Sequence, residues 1–201
     1  MFYFIACFLT IALGYCMNSF IVIWVGKDKL FDIVSFACIL FLFYHYIVRR
    51  PQYILKDIFA LYKELQLVSI VEAVLNLGLS LFLVKRYGIS GVLIATVIST
   101  LLTNFWYFPY YLYKKVFDKS PWLDLCKYLV VTLFTVAGIA ISYMLLPTMS
   151  PNGYVSWFIY SCIYSLGVLV ILIFVFAITF KSFRRLLGQC KEMMLSILRG
   201  R

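Results

Sequence analysis

Long uncharged apolar runs alternate with short charged clusters along this chain. Phe2–Gly26 carries no charge, and Phe31–Val48 is shorter, with Asp32 at its mouth. Leu65–Val84 holds a single carboxylate, Glu72. Tyr87–Tyr113, Tyr128–Leu146 and Tyr154–Phe180 are again charge-free. Each run comes near the roughly 20 residues that a helix needs to cross a bilayer. All are too long for barrel strands and lack the alternation such strands show. The pattern predicts an all-α polytopic membrane protein with six transmembrane helices, at about 2–26, 31–48, 65–84, 87–113, 128–146 and 154–180. Residues 1–180 form the membrane lobe. Residues 181–201 form a basic tail whose Phe183, Leu186, Leu187, Cys190, Met193, Met194, Ile197 and Leu198 recur every three or four positions. That spacing predicts an interfacial amphipathic helix.

Composition narrows the classes. Of 201 residues, 65% are hydrophobic, 19% aromatic and 13% charged, with a mean hydropathy of +1.00. Soluble domains are about 45–50% apolar and about 25% charged. A nucleic-acid-binding domain, a disordered chain and an ordinary soluble enzyme are therefore excluded. The net charge of +10 reads as anchoring to anionic lipid headgroups, with no nucleic-acid partner. Lys and Arg also predict orientation. Alternate loops, taken with the tail, hold 14 of the 18 basic residues, and the opposite loops hold Lys27, Lys29, Lys85 and Arg86. Both termini are expected in the cytoplasm. The first run has no basic n-region and no small-x-small site, so it reads as a retained helix and not as a signal peptide.

The polar residues inside the runs are the candidate chemistry. Glu72, Asn76 and Ser80 are spaced i, i+4, i+8 and share one helical face. Glu72 lies about seven residues from the basic end, roughly 10 Å deep. A carboxylate at that depth faces a cavity or a partner. It reads either as a proton- or cation-responsive group on a polar pathway or as interhelical glue, and for Asn76 and Ser80 the glue reading leads. Asn104 is a further cavity candidate. Gly88 and Gly91 bracket a tight turn that makes the third and fourth helices antiparallel neighbours. Ala95, Ser99 and Thr103 form a small-residue packing face. Pro109 is expected to kink the last turns of the fourth helix, and Pro51 to end the second. The amphipathic Pro51–Glu64 stretch is then expected to lie on the surface or to lengthen the third helix. His45, between Tyr44 and Tyr46, reads as an interfacial residue. The six cysteines show no CxxC spacing and read as packing residues. No paired Asp-x-Asp, P-loop or Ser-His-Asp set is present, so no catalytic, cofactor or metal residues are assigned and no enzyme is expected.

Glu72-Ala73-Val74-Leu75-Asn76-Leu77-Gly78-Leu79-Ser80-Leu81 runs through Lys85-Arg86-Tyr87-Gly88-Ile89-Ser90-Gly91-Val92 to Thr96 and Ser99. Phe105-Trp106 and Pro109-Tyr110-Tyr111-Leu112-Tyr113-Lys114 follow, and Phe20-Ile21-x-x-Trp24-x-Gly26 precedes. In order and spacing this resembles the C-terminal half of the Wzx-type polysaccharide-biosynthesis flippases of the MOP superfamily, with Ala95 standing where that family often has Gly. The resemblance implies one six-helix lobe of a twelve-helix transporter in the bacterial cytoplasmic (inner) membrane. It implies lipid-linked oligosaccharide as substrate and a missing N-terminal six-helix lobe as partner, and leaves coupling to H+ or Na+ open. The substrate would serve O-antigen, capsule or exopolysaccharide export. Two other readings remain at this point: a membrane-embedded enzyme or accessory subunit of envelope polysaccharide assembly, and a non-functional remnant.

Overall fold

The structure is a computed structural model that describes residues 1–146, 153–180, 183–185, 188–189 and 192–193. Its elements are all helical: α1 (Phe2–Trp24), a 3-10 turn (Lys27–Lys29), α2 (Ile33–Ile58), α3 (Tyr62–Leu102), α4 (Asn104–Val116), α5 (Trp122–Leu145) and α6 (Tyr154–Thr179). Five helical stretches are long and apolar enough to cross a bilayer, and the longest runs from Tyr62 to Val116.

The first helix is the hub. It packs against α2, α5 and α6. Small residues on α1 let its neighbours approach: Ala6 and Cys7 are fully buried, and a Cβ on Gly14 would meet Ile139 and Leu40 at 3.1–3.3 Å. Around this helix Ile11, Tyr44, Val48, Tyr128, Val131, Leu172 and Phe176 complete the main core. A second core of Leu61, Leu65, Phe108 and Leu112 joins the end of α2 to α3 and α4.

Two breaks fall where the sequence did not place them. Pro51 does not end α2, which runs on to Ile58. One lost ladder bond is outweighed because Tyr53 and Leu55, beyond the proline, pack on the second core. The Pro51–Ile58 segment thus extends α2 and does not lengthen α3. The expected fourth helix is interrupted at Thr103 (φ −119°, ψ −89°), and Pro109 lies inside the resumed α4. The tail expectation rests mostly on positions outside the described residues; Phe183 packs on Phe4 and Phe176.

The antiparallel turn is where the glycines put it. Gly88 takes φ 58°, ψ −135° in the middle of α3, a conformation costly for any residue with a Cβ. The chain folds back there into two arms. Gly91 is buried, and a Cβ on it would lie 2.5 Å from the Leu83 carbonyl oxygen. Ala95, Ser99 and Thr103 are also buried, as a small-residue packing face should be. At the hairpin tip, Asp32 caps α2 by accepting from the Ser35 N–H at 3.1 Å. It also accepts from the Ser90 hydroxyl at 2.8 Å, which ties the tip to α2.

Candidate functional site

The α3 hairpin brings the sequence-predicted residues together. Glu72 accepts from the Thr100 hydroxyl at 2.7 Å and from the Asn104 amide. One turn toward the tip, Asn76 donates to Thr96 Oγ1 at 3.1 Å and accepts from Ser80 Oγ at 3.1 Å. The four residues form two adjacent clusters between one face of the first arm and the Thr96–Asn104 stretch. Thr96 entered the sequence reading only as a residue of the family resemblance and Thr100 not at all, although their own i, i+4 spacing mirrors that of Glu72 and Asn76. Each step along the first arm is matched by a step back along the second, as an antiparallel pair requires.

These bonds satisfy the polar groups and also leave them reachable. Glu72, Asn76, Ser80 and Asn104 are half-buried. Ser69, Glu72, Ala73, Asn76, Leu77 and Ser80 line an open groove of about 480 Å³ on the first arm. Beside it Val74, Leu77 and Leu81 stand 60–65% exposed. The arm thus presents a polar stripe flanked by apolar side chains. A stripe of this kind hydrogen-bonds a polar group or a neighbouring helix at a depth where water is scarce. Asn104 Oδ1 is buried with no hydrogen-bond partner among the described residues.

A second polar cluster lies at the basic end, assembled from residues far apart in the chain. Arg49 is 3% exposed and donates to Asp124 Oδ2 at 2.7 Å. Gln52 Nε2 donates to the same oxygen at 3.1 Å, and the Tyr3 hydroxyl to Oδ1 at 3.1 Å. The guanidinium lies over the rings of Tyr128 (4.7 Å) and Phe105 (5.4 Å) and donates to the Phe105 carbonyl at 3.2 Å. That carbonyl is the one that Pro109 leaves without its i+4 N–H donor. The proline therefore creates an acceptor that the buried arginine fills. His45 is buried as well, with Nδ1 3.1 Å from the Tyr128 hydroxyl.

Arg49 and Asp124 sit 75 positions apart, each beside a loop that looks solvated in sequence, so their pairing has no local signature. A signal was nevertheless present. His45 and Arg49 are one turn apart on α2, as are Asp124 and Tyr128 on α5, so two facing helices can pair them two by two. The ion pair joins α1, α2, α4 and α5 through four polar side chains and one carbonyl. Charges withdrawn from water require such pairing.

Among the described residues, no group of three or more His, Cys, Asp or Glu side chains is placed to hold a metal. No protein-family model, curated protein or solved structure matches this chain.

Proposed function

We propose that this chain is the C-terminal lobe of a Wzx-type flippase that moves undecaprenyl-diphosphate-linked oligosaccharide between the leaflets of a bacterial inner membrane. The observation that carries the reading is the reachable stripe of Glu72, Asn76 and Ser80 at membrane depth, within the stretch of sequence that resembles the family. In this reading the two arms of α3 cross the bilayer separately, the second continued by α4. That gives six crossings, with both termini on the cytoplasmic side. The stripe faces the cavity shared with a second six-helix lobe. There it offers the sugar hydroxyls hydrogen-bond donors and acceptors, and Glu72 is the group through which H+ or Na+ coupling acts. The hydrogen-bond partners of Glu72 are the Thr100 hydroxyl and the Asn104 amide, neither of them a cation. The lobe supplies binding and movement and no covalent chemistry.

The test is co-expression of this chain with a matching six-helix N-terminal lobe in a flippase-deleted strain. Surface polysaccharide is expected to return. Glu72→Gln, which preserves shape and removes the charge, is expected to reduce export several-fold while membrane insertion stays intact. Unchanged export across pH in that variant would leave Glu72 with a packing role only.

A further inference from the structure

Two cavities lie along the seam between α1, α2 and α5, one toward each end. The inner one, about 580 Å³, is lined by Thr10, Leu40, Tyr44, Thr132, Thr135 and Ile139 among others. The outer one, about 390 Å³ at the basic end, is lined by Tyr3, Gln52, Tyr113, Lys119 and Asp124 among others. On α2 the inner cavity reaches Tyr44 and the outer begins at Val48, one helical turn or about 6 Å away. On α5 the corresponding residues are Thr132 and Asp124, about 12 Å apart. By helix register, a core layer that includes Cys7, Tyr128 and Val131 lies between them, with the Arg49–Asp124 pair on its basic side.

We propose that the Arg49–Asp124 pair is a gate: when it parts, α5 separates from α2 and the two cavities join into one water-accessible passage from the basic end. Three observations favour a gate over a permanent staple. First, the backbones of α2 and α5 each lie close to α1 and not to each other, so side chains alone bridge them, the Tyr128 ring against Tyr44 and His45 together with the polar contacts. Second, the pair is joined through one guanidinium nitrogen and not the two-pronged fork Arg and carboxylate commonly form. Gln52 and Tyr3 take the other positions on the carboxylate. Third, Arg49 Nε and Gln52 Oε1 are buried without partners, as is Thr10 Oγ1 on the inner cavity wall. Water entering between α2 and α5 satisfies these atoms and offsets part of the cost of parting the charges. An apolar pair would hold the seam at least as well; an ionic one suits a contact that must switch. The inner wall is largely apolar and is broken by Thr10, Tyr44, Thr132 and Thr135, so the joined space admits water along one polar edge and offers an oligosaccharide few partners. The inference therefore stands apart from the flippase reading.

Cys7 is fully buried within the separating layer and reports on the gate. The full chain is prepared in membranes with Cys7 as its sole cysteine, the other five replaced by Ala. Its rate of reaction with a small cationic methanethiosulfonate is then measured. Cys7 should be protected when the pair is intact, react at least tenfold faster in Asp124→Asn, and regain protection in Asp124→Glu. A parallel chain with Cys16 as its sole cysteine monitors α1 near the opposite end, where that residue is also buried. Cys16 reactivity should not change. Unaltered protection of Cys7 in Asp124→Asn would overturn the gate. An equal rise at Cys16 would also overturn it, because the substitution would then have loosened α1 as a whole.

Discussion

Single side chains in this helical bundle do several jobs at once because one polar group often answers to several partners. Asp32 shows the simplest case. It caps α2 and holds the hairpin tip, and the hydrogen bonds from Ser35 and then Ser90 pull its carboxyl from the ordinary 3.8 down to about 2. A lowered pKa in the folded chain means that the ionised form is the one folding favours. The stabilisation is complete above the unfolded value, near pH 4, and is lost as pH falls through that value toward 2. Asp32→Ala should therefore lower the melting temperature of the detergent-solubilised chain at pH 6. The difference from the wild type should shrink steadily between pH 4 and pH 2. A constant difference over that range would remove the ionised carboxylate from the account. Arg49 shows the harder case. One guanidinium meets a carboxylate, two aromatic faces and a carbonyl freed by Pro109, so the proline and the arginine act as a pair although they are 60 positions apart.

Helices here meet through small residues, and the sharpest instance is the α3 hairpin. Gly88 supplies the positive φ at the turn, and Gly91 lets the arms touch. The atom that a Cβ on Gly91 would strike belongs to the backbone, which has little room to yield. Gly91→Ala should cost about 1–3 kcal/mol in reversible unfolding in mixed micelles. Gly138→Ala is the control, since its Cβ would meet the Cδ1 of Ile11 at 2.6 Å, the movable end of a side chain. That variant should cost clearly less, and equal losses would refute the close-contact argument. The hairpin was legible in the sequence because everything that builds it is local: a glycine turn, an i, i+4, i+8 polar stripe and a small-residue face. The course of α2 through Pro51 was not. A proline penalty is local, while the packing of Tyr53 and Leu55 that overrides it comes from α3 and α4. The ion pair left only the i, i+4 pairs His45/Arg49 and Asp124/Tyr128 as a trace, for the same reason. Charges at the two ends of a polar loop pattern look alike whether they face water or each other, and only the packing of α1 between α2 and α5 distinguishes them.

At the scale of the molecule, the basic residues and the exposed face of α3 lead to linked expectations. The 14-to-4 division of Lys and Arg predicts that a reporter fused after residue 201 reads cytoplasmic and that one inserted at Asn152 reads periplasmic. A periplasmic signal from the C-terminal fusion would dismantle the six-crossing arrangement. The last expectation is that this chain alone does not flip substrate. Flipping needs a site open to each leaflet in turn and never to both, and in repeat-built transporters that condition is met by two lobes moving against each other. Here the stripe of Glu72, Asn76 and Ser80 opens outward from the first arm of α3. Taken as a whole, α3 joins the other helices through α2 and α4. Thr96, Thr100 and Asn104 bond to the stripe from one side, and the groove beside it stays open. The helices can still insert, because each satisfies its own backbone hydrogen bonds. Expression in a flippase-deleted strain should thus yield membrane-integrated protein without surface polysaccharide, measured by immunoblot of membranes beside polysaccharide staining of whole cells. If the 201 residues alone restored polysaccharide, the two-lobe requirement would fall. Pairing of two copies through their α3 stripes would then become the arrangement to test, by cross-linking single cysteines placed at Ala73.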